Sequence, residues 1–230
     1  MTTSLGPAAD DLGPVVALIP LRTGGKSRLG AALTGRQRAE LVLAMLDDVL
    51  TAVRNAGIED VRVLAGDHVA AEAAAARGLP ALVDPAGLHA DGPAANGDGP
   101  LRAAVDAALS AVGDRAPRLV VTADLPRLRD DEVRRVCTHP ADVVVAPTSG
   151  GGTALLRLAS GVKLPVRYGP GSARAHLAEA DRGRWTSALL DLPGAHHDVD
   201  AAWDLAALSG ELDGTFPGKA TAAFLGGLRG

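Results

Sequence analysis

Three basic side chains, Arg22, Lys26 and Arg28, follow the first strongly apolar run of the chain. That run, residues 15–20, predicts a buried strand, and the polar segment behind it contains a Gly-Gly pair. Ligands of open α/β sheets bind beyond the carboxyl ends of the strands, which makes this loop a candidate site for a polyphosphate or another anion. It is not a Walker A loop, because Pro20, followed by Leu21, stands where GxxxxGK[ST] requires its first glycine.

Acidic side chains occur at two further places where chemistry is expected. Asp124 directly follows an apolar run, residues 118–122, so it either caps the next helix or holds a divalent metal. Asp198 and Asp200 are two residues apart and would face the same side of an extended segment, where they could add a carboxylate to a Mg²⁺ site. The alternative for Asp200 is that it caps the helix that follows it.

Two glycine-rich turns lie at residues 150–153 and 169–172. Backbone N–H groups exposed by such turns bind phosphate or carboxylate, above all at the N-terminus of a helix, and a helix is predicted to begin at Ser172. Either turn alone is also consistent with an ordinary tight turn. Together with the basic first loop, they predict two anion sites on one edge of a sheet.

Other reactive side chains do not point to a second chemistry. His196 and His197 are adjacent, and adjacent residues of a strand face opposite sides, which disfavours a shared zinc ion. His176 is expected either on the exposed face of a helix or as a second anion contact. Cys137 has no Cys or His partner at a catalytic spacing, and no GxSxG element is present.

The composition limits the class of protein. The chain has 230 residues, 47% of them hydrophobic but only 2% aromatic, so its core must consist mainly of Ala, Val and Leu, which suits helices packed on a parallel sheet. The net charge of −4 gives no general attraction to nucleic acid or to an anionic membrane. The polar N-terminus lacks a signal peptide, and no apolar stretch is long enough to cross a membrane, so we expect a cytoplasmic protein. A homodimer is left open.

Hydrophobic periodicity predicts alternating strands and helices. Strands are expected at residues 15–20, 61–65, 81–84, 118–122, 142–146 and 154–158, with short ones within 185–191 and 195–200. Helices are expected at residues 33–55, with Thr34 as its N-cap, and at 68–77, 101–112, 129–138, 172–180 and 201–208. Residues 85–100 are rich in Gly and Pro and predict a long loop over the sheet edge. The tail from Glu211 has no clear assignment.

This order predicts the α/β class. We expect a flexible tail at residues 1–13 and a single three-layer α/β/α domain at 14–230, with a mainly parallel sheet. The first strands should be parallel and joined by right-handed crossovers.

The order of the segments IPLRTGGKSRL, LVLAMLDDVL, TADLP, GGGT, YGPGSARAH and HHDVD over residues 15–208 resembles the 2-phospho-L-lactate or phosphoenolpyruvate guanylyltransferases of deazaflavin coenzyme F-420 biosynthesis. The first loop alone also resembles a wider superfamily with a GT-A-like (Rossmann-like) nucleotidyltransferase fold. The narrower resemblance depends on TADLP, GGGT and GPGS.

The resemblance implies that GMP is transferred from GTP, the co-substrate, to a phosphorylated three-carbon acid, with Mg²⁺ as the cofactor and pyrophosphate as the product. It also implies roles for individual residues: Arg22 and Lys26 hold the GTP phosphates; Gly66 and Asp67 lie near the base; Asp124 and Asp200 bind Mg²⁺; Thr153, Gly169 and Ser172 hold the acceptor phosphate. Lys26, Asp124 and Asp200 are thus the expected catalytic residues.

The chain departs from the family pattern at two places. Residues 99–102 read Gly-Pro-Leu-Arg where relatives commonly carry Gly-Leu-Asn, and Ala154 follows GGGT where Asn is frequent. The first departure concerns the choice of nucleotide, and the second concerns the acceptor. Two alternatives therefore stay open: a related nucleotidyltransferase that uses another triphosphate or acceptor (3-phosphoglycerate, a sugar phosphate or molybdopterin), and a nucleotide-binding protein without activity.

Overall fold

The computed structural model describes residues 12–24, 26–83, 99–208 and 217–228. The strands within them are β1 (Val16–Leu21), β2 (Asp60–Ala65), β3 (Ala81–Val83), β4 (Arg118–Val121), β5 (Val143–Pro147), β6 (Thr153–Leu158) and β7 (Ser187–Leu189). The helices are α1 (Gly35–Asn55), α2 (His68–Ala76), α3 (Gly99–Val112), α4 (Asp130–Cys137), α5 (Ser172–Arg182), α6 (Ala202–Ala207) and α7 (Lys219–Gly227). Short 3₁₀ helices occupy Ser27–Leu29 and Pro193–Ala195.

The seven strands form one sheet in the order β3-β2-β1-β4-β6-β5-β7. Strand β6 runs antiparallel to β4 and β5, and all other pairs are parallel. Parallel strands end at a common edge, so β1, β2 and β4 deliver their loops side by side. Because β6 runs the other way, it begins at that edge, and Thr153 starts beside the loop that follows β4.

Apolar side chains cover both faces of the sheet, as the predicted three-layer α/β/α architecture requires. Alternate residues of β1 enter different cores: Ala17 and Ile19 pack with α1, α2 and α4, whereas Leu18 packs with α3 and α5. This alternation follows from the two-residue period of a strand. The predictions of a mainly parallel sheet and of parallel β1, β2 and β3 are confirmed.

The start of the long helix α1 is also confirmed. Thr34 has an extended backbone, and its side chain accepts from the backbone N–H of Gln37, whose own side chain accepts from the Thr34 backbone. This capping box satisfies amide groups that an open helix end leaves without partners. The helix then enters the same core as Ala17 and Ile19 of β1 through residues such as Met45 and Val49, both of which are fully buried.

Two expectations about the C-terminal region were wrong or incomplete. Residues 195–200 form no strand: a 3₁₀ helix ends at Ala195, and the chain then crosses the end of the sheet, bonding to the loops after β4 and β5. The unassigned tail contains α7, whose small residues give little periodicity to read. Asp48 of α1 holds the first turn of α7 by accepting from the backbone N–H groups of Ala220 and Thr221, at 3.0 and 2.9 Å.

Some predictions fall largely outside the described residues. These are the tail at 1–13, of which only 12 and 13 are described, and most of the loop at 85–100; α3 begins at Gly99, earlier than expected. Among the helices of the described residues, none combines the length and the apolar character needed to span a bilayer.

Candidate active site

A lysine lies between two aspartates at the carboxyl edge of the sheet. Lys26 Nζ is 2.5 Å from Asp124 Oδ2 and 2.5 Å from Asp200 Oδ1. The three residues come from the loop after β1, the loop after β4 and the segment before α6, respectively. The structure therefore brings together the three residues predicted to be catalytic.

The charges in this cluster stabilise one another. Burial alone would lower the pKa of Lys26, but Asp124 and Asp200 outweigh it and raise that pKa. Burial alone would raise the pKa of Asp124, which Lys26 lowers instead. Lys26 is therefore cationic and Asp124 anionic at neutral pH. Burial, together with Asp124 and Asp200, raises the pKa of Asp198 to about 6.

The backbone of Lys26 adopts a conformation that is uncommon for a residue with a side chain. Its φ is 60° and its ψ is 37°, in the left-handed region, immediately before the short helix Ser27–Leu29. Such a residue costs of order 1 kcal/mol and persists where its surroundings impose it. Here the two ion pairs fix the ammonium group, so the strained residue is the one that joins the three segments.

The segment that carries Asp200 is held by backbone contacts. The N–H of Val199 donates to the carbonyl oxygen of Asp124 at 3.3 Å. Further upstream, the N–H of Gly194 donates to the buried carboxylate of Glu132 at 2.8 Å. A side chain at residue 194 would overlap that carboxylate and the carbonyl of Arg127, so only glycine fits this close approach.

Asp67 organises the first loop. It accepts from the N–H and the hydroxyl of Thr23, at 2.6 and 2.9 Å, and from the N–H of Gly24 at 3.2 Å. It also caps α2 by accepting from the N–H of Ala70 at 2.8 Å. Despite its burial, these donors lower the pKa of Asp67, so it stays ionised and ties the loop after β1 to the start of α2.

Gly66 and Arg22 lie beside this contact. The N–H of Gly66 donates to the carbonyl of Leu21 at 2.8 Å, which continues the pairing of β1 and β2 past their ends. A side chain at Gly66 would touch the stem of Arg22, which is itself exposed. All the residues predicted for the nucleotide thus lie at the ends of β1 and β2.

The two glycine turns contact each other next to the start of β6. The N–H of Ala173 donates to the carbonyl of Gly151 at 3.3 Å, and the N–H of Ser172 donates to that of Gly169 at 3.0 Å. Gly151 and Gly171 have φ values of 76° and 75°, which side chains disfavour. The N-terminus of the helix α5 therefore faces the GGGT turn.

Two buried hydroxyl groups lie within this pair of turns. Thr153 Oγ1 and Ser172 Oγ are 2.9 Å apart, and Thr153 Oγ1 is also 3.0 Å from Nδ1 of His176. His176 is fully buried, so its expected place on an exposed helix face was wrong. Arg167 and Thr153 both bond to the ring, and these contacts cover this side of α5.

The alternative roles for the aspartates are not observed. The helix α4 begins at Asp130, beyond reach of Asp124 as a cap, and α6 is capped by Asp204, which accepts from the N–H groups of Asp200 and Ala201. His196 pairs with Asp191. Cys137 is buried among apolar groups, and this burial raises the pKa of its thiol to about 12, so it is a poor nucleophile.

The carboxylates suit a hard divalent cation such as Mg²⁺. In the described part of the chain, Oδ1 of Asp124 is buried and has no hydrogen-bond partner at an ordinary distance, so it is available to a ligand. No group of three or more metal-type side chains converges among the described residues. Two carboxylates are enough for an ion of this kind, because Mg²⁺ is usually held by one or two carboxylates together with water and substrate phosphates.

Reasoning from the sequence missed two contributors to the site, Thr23 and Glu132, and left His176 open between an exposed position and an anion contact. The first two act through backbone contacts between segments distant in the chain, which no local spacing reveals. For His176 a signal existed, because it lies one helical turn after Ser172 and therefore on the same face of α5.

The fold is that of the nucleotidyltransferases. A protein from Desulfovibrio desulfuricans G20, described as a nucleotide-diphospho-sugar transferase, superposes with a TM-score of 0.68 at 16% identity and covers 93% of this chain and 97% of its own. The CMP:2-keto-3-deoxy-manno-octonic acid synthetase complexed with CTP gives a TM-score of 0.54 at 14% identity, over 87% of this chain and 100% of its own.

Sequence comparison is more specific than the fold. Residues 15–225 match the family model "Guanylyl transferase CofC like", and the chain belongs to this family. The phosphoenolpyruvate guanylyltransferase of Roseiflexus castenholzii is 35% identical, over 85% of this chain and 86% of its own. The 2-phospho-L-lactate guanylyltransferase of Halobacterium salinarum is 38% identical, over 78% of this chain and 77% of its own. The predicted family and the predicted class of enzyme are confirmed.

Proposed function

We propose that this chain transfers GMP from GTP to the phosphate of phosphoenolpyruvate or 2-phospho-L-lactate and releases pyrophosphate, as a step in coenzyme F-420 biosynthesis. The observation that carries the proposal is the Lys26 ammonium group between Asp124 and Asp200. Asp124 of this cluster follows β4. In the sheet, β4 lies between β1, which leads into the loop bound by Asp67, and β6, which begins with Thr153 of the hydroxyl pair. The names of the relatives support the same reaction.

The nucleotide half of the proposed site consists of the loop after β1 and the end of β2. Arg22 and Lys26 supply positive charge for the triphosphate. Gly66 and Asp67 flank the nucleotide, and Asp67 acts by holding Thr23 and Gly24 in place, because its oxygens already accept from both residues.

The acceptor half consists of Thr153, Gly169 and Ser172. The Ser172 hydroxyl group and the positive N-terminal end of the helix α5 suit phosphate and carboxylate oxygens, and Thr153 and Gly169 hold Ser172 in place. This half adjoins Asp124, because β6 begins beside the end of β4.

The proposed reaction needs no general base. A phosphate monoester is largely ionised at neutral pH, so its oxygen can attack the α-phosphorus directly while the bond to the pyrophosphate oxygen breaks. The task of the protein is to bring two polyanions together. Lys26 offsets their charge, and Asp124 and Asp200 would hold Mg²⁺, which neutralises phosphate charge when it is bound.

The test is a matrix of substrates. Purified protein with Mg²⁺ is mixed with each of the four common nucleoside triphosphates and with phosphoenolpyruvate, 2-phospho-L-lactate or 3-phosphoglycerate, and pyrophosphate release is measured. The proposal expects release with GTP and at least one of the first two acids. Turnover with another triphosphate or only with another acceptor would identify a different transferase. A rise of the melting temperature with GTP but no turnover in any mixture would indicate a binding protein.

A further inference from the structure

A directed chain of hydrogen bonds leads from Arg167 to the acceptor side of the proposed site. The backbone N–H of Arg167 donates to Nε2 of His176 at 2.8 Å. An N–H group can only donate, so Nε2 must carry a lone pair. The neutral ring therefore has its proton on Nδ1, and this proton points to Thr153 Oγ1 at 3.0 Å.

The hydrogen bonds keep the same donor-to-acceptor direction at Thr153. Its oxygen accepts from His176, and its own proton has one acceptor among the described residues, Ser172 Oγ at 2.9 Å. Thr153 is only 5% exposed, so a proton that pointed elsewhere would be a buried donor without a partner, which is costly. Ser172 thus accepts from Thr153 and keeps its own proton to donate.

The last group of this hydrogen-bond chain, the Ser172 hydroxyl, lies at a suitable place for an anion. Ser172 is 2% exposed and is the first residue of the helix α5. No protein acceptor for its proton is found in the described part of the chain, although an unpaired donor at this depth is unfavourable. A bound phosphate or carboxylate oxygen would supply the missing acceptor.

We infer that His176 is a positioning residue: through its Nδ1 proton it orients Thr153 and so makes the Ser172 hydroxyl a donor towards the bound phospho-acid. This inference rests on the proposed function only for the identity of the anion. The neutral state of the ring agrees with its surroundings, because burial and then Arg167 lower the pKa of His176 to about 4, against a weaker opposing effect of Glu179. Arg167 and Arg182 both pair with Glu179, which offsets their charges.

Two substitutions of His176 distinguish a role in this hydrogen-bond chain from a role in packing alone. In His176→Asn the amide nitrogen takes the place of Nδ1 and can still donate to Thr153, but Arg167 loses its acceptor. In His176→Gln the amide oxygen takes the place of Nε2 and can still accept from Arg167, but the donor to Thr153 is lost. A directed chain predicts that Gln is the more harmful change for the acceptor substrate, whereas a packing role that depends on Arg167 predicts the opposite.

The kinetic experiment compares KM for the phospho-acid and for GTP in both variants. We expect His176→Gln to raise the KM of the acid about 10- to 100-fold, the usual effect of losing a hydrogen bond to a charged group, and to leave the KM of GTP unchanged. His176→Asn should stay within about threefold of the parent protein. Equal damage by both variants, or an unchanged acid KM in the Gln variant, would overturn the inference.

A second pair covers the case in which the histidine variants do not fold. Thr153→Ser keeps the hydroxyl group, and Thr153→Val replaces it with a methyl group of similar size. If the hydrogen-bond chain is correct, Thr153→Val raises the KM of the acid and Thr153→Ser largely preserves it. Similar KM values for the acid in the two Thr153 variants would contradict the inference.

A spectroscopic measurement is independent of activity. In ¹⁵N-histidine-labelled protein, we expect the ring of His176 to show the tautomer with its proton on Nδ1, unchanged from about pH 5.5 to about pH 8. A proton on Nε2 would refute the inference. If the parent protein released no pyrophosphate in any mixture, the proposed function would fail, and this spectrum would still decide whether the chain has the stated direction.

Discussion

The backbone N–H of Val199 donates to the carbonyl oxygen of Asp124 at 3.3 Å, and this bond ties together the two segments whose carboxylates flank Lys26. Neither side chain takes part in it. The backbone therefore contributes to the spacing of the two carboxylates together with Lys26, and Asp200 depends on contacts that begin several residues upstream, where Gly194 packs against Glu132. Changes far from the substrates should be felt at the catalytic cluster.

Gly194→Ala tests this dependence. The added methyl group would overlap the Glu132 carboxylate and the Arg127 carbonyl, so the segment leading to Asp200 must shift. Because a displacement of about 1 Å can cost about 100-fold in rate, we expect kcat to fall about 10- to 100-fold. The control is Gly227→Ala in α7, where a methyl group meets nothing within 4 Å. Equal rates for the two variants would show that the segment does not position Asp200.

The carboxylates themselves should be essential. Asp124→Asn and Asp200→Asn each remove a negative charge that faces Lys26 and the proposed metal site, and we expect turnover to fall about 10²- to 10³-fold, the usual loss when one electrostatic contribution to the transition state is removed. Asp181→Asn, at an exposed position of α5, is the matched control. Melting temperatures check that all three variants fold. A near-normal rate in either site variant would mean that the metal site is wrongly assigned.

Lys26 should affect metal binding and turnover in opposite directions. Its ammonium group contacts both proposed metal ligands, so a metal ion that arrives without nucleotide must share the carboxylates with an existing cation. Lys26→Gln should tighten Mn²⁺ binding roughly tenfold in the absence of nucleotide, and it should lower turnover because a charge for the phosphates is lost. Free Mn²⁺ can be measured by electron paramagnetic resonance.

The control for this experiment is Arg28→Gln, a charge removed from the same loop at an exposed position. It should change Mn²⁺ affinity much less than Lys26→Gln does, because distant exposed charges are screened by salt. Weaker Mn²⁺ binding in the Lys26 variant would contradict the competition between ammonium and metal.

The buried histidine predicts how stability depends on pH. The pKa of His176 is about 4 in the folded protein against 6.5 for an ordinary histidine, so below pH 6.5 the unfolded chain binds a proton that the folded chain does not. Stability therefore falls as the pH drops from 6.5 towards 4, by at most about 3 kcal/mol. His176→Asn lacks this titration, and its free energy of unfolding should fall less over the same range. Parallel curves from urea denaturation would show that the folded ring protonates normally.

Much of the fold could be predicted from the sequence because the pattern that encodes it is local. Apolar runs gave the positions of the strands to within a residue or two, and the Thr34 cap gave the start of α1. Periodicity does not encode the direction of a strand, so the antiparallel course of β6, which brings Thr153 beside the Asp124 loop, could not be read in advance.

The site divides in the same way. Asp124 and Lys26 were found because each follows an apolar strand, where the fold places its ligand loops. Burial of His176 and the attachment of Thr23 to Asp67 depend on contacts between residues far apart in the chain. Such contacts are absent from local spacing, and the same is true of the helix α7, whose first turn is bonded to Asp48 of α1.

Asp48 supplies the last prediction, because it connects that C-terminal helix to the rest of the molecule. The residue is only 8% exposed and its carboxylate accepts from two backbone N–H groups of α7, while Gly218, just before the helix, donates to the carbonyl of Pro126 at 2.6 Å. Asp48→Ala leaves both amides buried or poorly solvated without an acceptor, which should cost about 2 to 4 kcal/mol in the free energy of unfolding.

The neighbouring residue is a natural control. Asp47 makes a two-pronged ion pair with Arg77, at 2.5 and 2.8 Å, but its side chain is 42% exposed. Exposed ion pairs contribute about 0.2 to 1 kcal/mol, so Asp47→Ala should be far less destabilising than Asp48→Ala in urea denaturation. Equal losses would mean that α7 is not anchored through Asp48. Because Pro126 lies two residues after Asp124, release of α7 should also lower turnover, and Asp47→Ala should leave turnover unchanged.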